Sequence, residues 1–235
     1  MSSDAPRTIF AALVLALSAA TLASAPAGAE PRAPAFSHPT RITNPWLPLS
    51  KQRHWVLRGV VDGKRVRADK TLLDRTEAFQ ISDQRVEAAI VQDRGYHNGI
   101  LHEIALDYYA QADDGTVYYL GEDVNYYDKH GHVTGHHGAF RYGEDTQFLG
   151  VAMPADPRVG NRYVTEDIPG EGKDRSKVVS VGHPVEVPAG RFTKSLEVKG
   201  YVLPDRESEH KIYVRGTGLV SEADAGGKLE LTRVG

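Results

Sequence analysis

The chain has 235 residues, no cysteine and a formal charge of −3 at pH 7. Without cysteine there can be no disulfide, thiolate metal site, cysteine nucleophile or lipid-modified N-terminal cysteine. The mildly acidic balance gives no electrostatic footprint for nucleic acid.

Arg7 precedes an apolar run from Ile9 to Leu17, and small residues lead on to Ala27-Gly28-Ala29. This order of charge, apolar stretch and A-x-A site predicts a signal peptide over residues 1–29, cut before Glu30. The competing reading is a membrane anchor, but the run is short against the roughly 20 residues a span needs. The expectation is therefore a secreted or periplasmic protein with no membrane span after signal removal. Residues 30–235 are enough for one all-β domain with its own core.

Residues 30–53 carry Pro31, Pro34, Pro39, Pro45 and Pro48. Proline has no amide hydrogen and fixes φ, so this is an extended lead-in. Trp46, Leu47 and Leu49 are placed to pin it to the body. The β-rich domain is expected over residues 54–235. Asp62-Gly63 joins a strand from His54 to Val61 to one from Lys64 to Asp74. In the second of these, Arg65, Arg67 and Asp69 alternate with Val66, Ala68 and Lys70, which predicts one wet face. Arg85 to Arg94 reads as a strand, and Asn98-Gly99 turns the chain into Ile100 to Gln111. Thr76 to Ala89 is the best helix candidate.

Further turn signals stand at Asp114-Gly115 and His130-Gly131. Beyond them, short strands are expected at Tyr163–Ile168, Lys177–Gly182, Val185–Val187, Phe192–Leu203, Lys211–Val214, Leu219–Ala223 and Lys228–Val234. The charges between Tyr201 and Arg215 read as a solvated hairpin tip. Regular turns between short β-type segments predict an all-β fold. The expected form is an antiparallel meander making a strongly twisted sheet, sandwich or barrel of about 10–12 strands.

The pieces FSHPTRITNPWLPL, LDYYAQADDGTVYYLGED, MPADPRVGNRY, VPAGRF and EHKIYVRGTGLV are spread over nearly all of residues 36–235. Together they resemble a family of uncharacterised secreted bacterial proteins with no established activity. The resemblance implies a mostly antiparallel β fold and carries over no catalytic residue. The chain departs from the family pattern after Tyr127, where the turn is usually polar and has no histidine cluster.

That cluster is His130, His132, His136 and His137. Imidazole suits Zn and Cu(II), and Glu122, Asp123 and Asp128 lie close in sequence. The competing reading is a glycine- and histidine-rich surface loop, because no fixed ligand spacing is present.

Carboxylates give a second candidate. A two-residue hairpin centred on Asp114-Gly115 would set Asp107 opposite Glu122, and like charges there call for a cation, a proton or an arginine such as Arg141 or Arg94. A four-residue loop from Ala112 to Gly115 would set Asp107 opposite Leu120 instead.

The tyrosine doublets give a third candidate: Tyr108-Tyr109, Tyr118-Tyr119 and Tyr126-Tyr127. Counted outward from the two-residue turn, Tyr108 shares a face with Leu106, Ala110 and Tyr119. Tyr109 then shares the other with Asp107, Tyr118 and Leu120. Tyr108, Tyr109, Tyr118, Tyr119 and Tyr126 are candidate ligand-binding residues, against the plainer reading of cross-strand packing.

No nucleophile elbow, phosphate-binding glycine loop or dinucleotide fingerprint is present. The leading expectation is an extracytoplasmic, non-catalytic binding protein for a small apolar or amphipathic ligand. The alternatives are a Zn- or Cu-binding protein or metal-dependent hydrolase, and a structural module of the cell envelope.

Overall fold

Paired positive-φ residues make two of the hairpin turns. Asp62 and Gly63 have φ of 48° and 73°, and Asn98 and Gly99 have φ of 51° and 88°. Such turns match the right-handed twist of the strands they join. The computed structural model describes residues 33–51, 53–170, 172–203 and 207–235. Residues 34–235 form the unit described below. The expected signal peptide lies outside the described residues.

Three long strands begin the fold: β1 (His54–Val61), β2 (Lys64–Ile81) and β3 (Gln84–His97). The segment 76–89, where a helix was expected, is the outer end of the β2–β3 hairpin. Its Phe79, Ile81, Val86 and Ala88 are buried with the period of a strand. Next come β4 (Ile100–Gln111), β5 (Val117–Tyr127), β6 (Val133–Gly135), β7 (Phe140–Arg141) and β8 (Gly150–Met153). The second half holds β9 (Arg162–Ile168), β10 (Gly172–Val181), β11 (Val185–Val187), β12 (Gly190–Phe192), β13 (Ser195–Leu203), β14 (Glu207–Val214), β15 (Gly218–Ala223) and β16 (Gly227–Val234).

The fold is all-β. Fourteen strands form one sheet, and β11 and β12 form a separate ribbon. The strand number exceeds the expected 10–12 because β6, β7, β8, β11 and β12 are two to four residues long. Runs that short show no alternation to read.

The main path is β6-β5-β4-β3-β2-β1-β16-β15-β14-β13-β10-β9, with β7 and β8 also on β5. Every ladder is antiparallel. The sheet curls until β8 meets β9. Gly150 sits so close that a Cβ there would lie 1.9 Å from the Thr165 carbonyl oxygen. Beside it, the Thr146 hydroxyl donates to the Asp167 carbonyl at 2.6 Å. The result is a barrel-like wrap with a packed seam.

Two apolar clusters follow from the period-2 alternation. One faces the inside and includes Trp55, Leu57, Val91, Val178, Leu196, Val198 and Leu231. The other lies on the opposite face of β2–β5 and includes Phe79, Ile90, Tyr108 and Leu120.

The proline-rich lead-in closes one end of the wrap. Ile42, Trp46 and Leu49 are buried in the inner cluster. Buried Asn44 fixes the segment: its amide donates to the Gly115 and Pro154 carbonyls at 3.0 Å each. The Gln111 side chain accepts from the backbone of Thr43 and Asn44 at 2.8 Å. Proline supplies no amide donors here, so side chains of Asn44 and Gln111 do the tying.

Candidate binding lumen

The site follows from the register of β4 on β5. Asp107 stands directly opposite Glu122. The turn is not the two-residue form. Gln111 pairs with Val117, which leaves a five-residue loop, and Tyr109 pairs with Tyr119. A bulge between Tyr108 and Tyr109 then inserts one extra residue on β5, so Tyr108 pairs with Gly121. The bulge restores the Asp107–Glu122 pairing that the loop alone would have shifted.

The five-residue loop also corrects the expected tyrosine faces, because it sets Tyr109 opposite Tyr119. Tyr109 and Tyr119 share the inner face, with rings stacked at 5.2 Å. Tyr108 and Tyr118 share the outer face with Leu120. Tyr118 packs edge-on against Phe36 at 5.8 Å. The Tyr108 hydroxyl donates to Asp123 at 2.6 Å and accepts from Arg141 at 3.0 Å.

The inner face encloses a cavity of about 310 Å³. Leu47, Leu49, Trp55, Val91, Ala152 and Leu219 make its apolar part. Six carboxylates line it: Asp93, Glu103, Asp107, Glu122, Glu166 and Glu222. Only two lysines, Lys70 and Lys211, face them there. A second cavity of about 330 Å³ shares Lys70, Asp93, Glu103 and Glu222 and continues to His97, His102 and Asp224.

The lysines neutralise part of this charge. Lys70 pairs with Asp93. Lys211 lies 2.7 Å from Glu209 and 3.7 Å from Glu222. Burial works to lower both lysine pKa values, yet these carboxylates raise them, so both stay charged. Burial also works to raise Glu222, but Lys211 and Lys70 hold it below the usual carboxylate range.

Asp107, Glu122 and Glu166 have no such partner. Burial, the largest effect, pushes Asp107 up to about 6 against the pull of Lys70. Its bond from the Tyr119 hydroxyl, at 3.0 Å, pulls the same way as Lys70. Burial and then the facing Asp107 push Glu122 up to about 9. Burial and then Asp174 push Glu166 up to about 7. Glu103 is raised as well, by burial and then by Asp93. The Asp93 Oδ1 atom is buried with no hydrogen-bond partner. A lumen of this kind holds protons at neutral pH or takes a cation in their place.

The remaining candidates lie elsewhere. Asp123, next to Glu122, points to the outer face. There Arg141 bonds it at 3.0 and 3.2 Å and also reaches Glu77 at 3.3 Å. Tyr126 is stacked on His137 at 4.0 Å and lies 5.7 Å from His102. His102 in turn stacks on His97 at 4.1 Å. The His136 Nδ1 is 2.9 Å from the Val124 carbonyl. His130 and His132 sit in an exposed turn. Asp128 accepts from their backbone amides at 2.8 and 2.9 Å. Among the described residues, no group of three or more His, Asp or Glu side chains is placed to hold a metal ion.

Sequence reasoning missed Lys70, Asp93, Glu103, Glu166, Lys211 and Glu222. One signal was available. Lys70 shares its parity with Val66 and Ala68, the apolar positions of its strand. Lys211, read as the start of a strand, lines the lumen with Tyr213, and Glu209, read as part of a solvated tip, lines the adjoining cavity and pairs with Lys211.

The comparisons assign no family and no function. No family model and no curated protein matches the chain. A crystal structure of a protein with YmcC-like fold from Bacteroides fragilis NCTC 9343 is similar, at 12% identity and a TM-score of 0.44. The match covers 87% of this chain and 100% of that one. Among the described residues, no helix is long and apolar enough to cross a membrane.

Proposed function

We propose that this is an extracytoplasmic, non-catalytic binding protein whose lumen holds a small amphipathic ligand bearing a cationic group. The carrying observation is the direct opposition of Asp107 and Glu122 in a cavity lined by more carboxylates than lysines. A ligand ammonium there would replace the protons that these acids otherwise retain. The apolar wall of Trp55, Leu47 and Leu49 suits the body of such a ligand, and the stacked Tyr109 and Tyr119 suit both its apolar part and its charge. The extracytoplasmic placement is supported by the leader read from residues 1–29. This reading narrows the apolar-or-amphipathic expectation to amphipathic cations.

Calorimetric titration with matched probes tests it, for example octylamine against octanoate and phenethylamine against phenylpropionate. The amines should bind and the carboxylates should not. Binding near pH 7 should release protons, seen as a dependence of the heat on buffer ionisation enthalpy. Asp107→Asn with Glu122→Gln should weaken amine binding at least tenfold. Equal binding of both probe classes, or amine binding unchanged in the double variant, would sink the proposal.

A further inference from the structure

The outer face of the second half carries a row of cations fixed by strand register. Arg162 of β9 stands opposite Lys177 of β10. Lys177 stands opposite Lys199 of β13, and Lys199 stands opposite His210 of β14. One row further along, Arg175 is opposite Tyr201. Side chains alternate between faces, so these residues share one side of the sheet. Neighbouring strands are about 4.8 Å apart, so the row from Arg162 to His210 spans roughly 14 Å.

Like charges directly opposite destabilise a sheet. Here three cations occur in succession, and only His210 is engaged, by Glu197 at 2.9 Å. Among the described residues, no ion pair involves Arg162, Arg175, Lys177 or Lys199. Elsewhere on the surface, Arg53, Arg85, Arg158 and Arg191 each have a carboxylate partner. Among the described residues, Arg162, Arg175, Lys177 and Lys199 are therefore uncompensated charge, on a protein whose net charge is −3.

Arg162, Arg175, Lys177 and Lys199 line one groove of about 650 Å³, with Tyr201 at its side. Lys199 lies 5.2 Å from the Tyr201 ring, so the aromatic surface helps to hold the ammonium in place.

We propose that this groove is a binding site for a linear, soluble polyanion whose phosphate or carboxylate groups run along the row Arg162–Lys177–Lys199. Charge complementarity selects an anion. The linear order of the cations and the concave shape select a chain over a flat surface. An anionic membrane fits less well. The large apolar side chains exposed among the described residues are Val60, Ile100, Val133, Phe148, Val159, Val181 and Val234, and none lines the groove to act as an anchor. The site is independent of the lumen, which lies on the other face of the same strands.

The test uses the mature chain and a fluorescent polyphosphate of defined length, with anisotropy read at several salt concentrations. Polyphosphate should bind, and affinity should fall steeply with salt. Lys177→Glu with Lys199→Glu should weaken binding at least tenfold. Lys177→Gln with Lys199→Gln, which removes the like-charge pair, should raise the melting temperature; a merely structural role would lower it. Arg58→Glu with Arg65→Glu, on β1 and β2, serves as the charge-matched control and should lose less than threefold. Sedimentation with phosphatidylglycerol vesicles forms the second arm, in which no binding that depends on Lys177 and Lys199 is expected. No polyphosphate binding, an equal loss in the control, or vesicle binding that needs Lys177 and Lys199 would each overturn the proposal. If the reversed variant fails to fold, Lys177→Gln with Lys199→Gln carries the same comparison.

Discussion

Glu122 and Asp123 are neighbours in β5 with opposite electrostatic surroundings. Glu122 faces the lumen, where burial and Asp107 push its pKa up to about 9. Asp123 faces outward. Burial works to raise it, but the bonds from Arg141 and Tyr108 outweigh that and hold it low. Both are carboxylates in the same strand, and both lose water. What separates them is a counter-charge: Arg141 is delivered to one face by β7, and nothing equivalent reaches the other. The same contrast runs through the whole sheet. Its inner surface has acids without enough lysines, and the outer row Arg162–Lys177–Lys199 has cations without acids among the described residues.

The largest expected effect comes from deepening the imbalance inside. Lys70→Met removes the partner of Asp93 and one of the cations acting on Asp107 and Glu122. Breaking one member of a buried pair costs about 3–5 kcal/mol. Urea unfolding at pH 7 measures it, and a loss under 1 kcal/mol would mean that the lumen is wetter than its geometry shows.

A change in the opposite sense should follow from Glu122→Gln. A carboxylic acid whose folded pKa is raised makes the native state bind a proton that the unfolded chain lacks. Stability then falls as pH climbs from the unfolded value of about 4.5 toward about 9. Glutamine removes that penalty, so the variant should gain about 1–3 kcal/mol at pH 8 and nothing at pH 4. Asp123 has the reverse sign. Its lowered pKa contributes stability above the ordinary carboxylate range and loses it as pH falls. Unfolding curves of Asp123→Asn and Glu122→Gln across pH 3–9 should therefore diverge in opposite directions.

The smallest effect belongs to the exposed turn. His132 is 79% exposed at its side chain and touches only Asp128. His130→Ala and His132→Ala should each shift stability by less than about 0.5 kcal/mol, as surface changes usually do. A larger loss that appears only with added Zn or Cu would return that loop to the list of sites.

Much of the fold was legible. The Asp62-Gly63 and Asn98-Gly99 turns need positive φ, and few residue pairs supply it so readily. The alternation of Arg65, Arg67 and Asp69 with Val66, Ala68 and Lys70 marks β2 as a strand without help from the tertiary structure. The segment 76–89 was misread because Glu77, Ala78, Glu87 and Ala88 have fair helix propensity. The pairing of Phe79 with Val86 across a turn at Ser82 decides otherwise. Propensity is a local term of tenths of a kcal/mol, and burial of Phe79, Ile81 and Val86 outweighs it.

The site was legible only in part. Asp107 and Glu122 could be paired by counting, and they are paired, although through a five-residue loop and a bulge that no local signal announces. The five-residue loop set Tyr119 opposite Tyr109, and the bulge then returned Asp107 to Glu122. Lys211, Glu166 and Glu222 were out of reach, because they come from strands far from β4 in sequence and meet it only when the sheet closes.

The sequence by itself thus determined an all-β chain and its Asp62-Gly63 and Asn98-Gly99 turns, and left the facing of Asp107 open between Glu122 and Leu120. Those properties are local: they depend on φ preferences and on alternation. The tertiary structure alone decided which face became the inside, which acids gained a lysine, and that four basic residues on β9, β10, β13 and β14 line up. Those outcomes depend on how the sheet curls and on the register between distant strands, and burial then turns the placement into charge state.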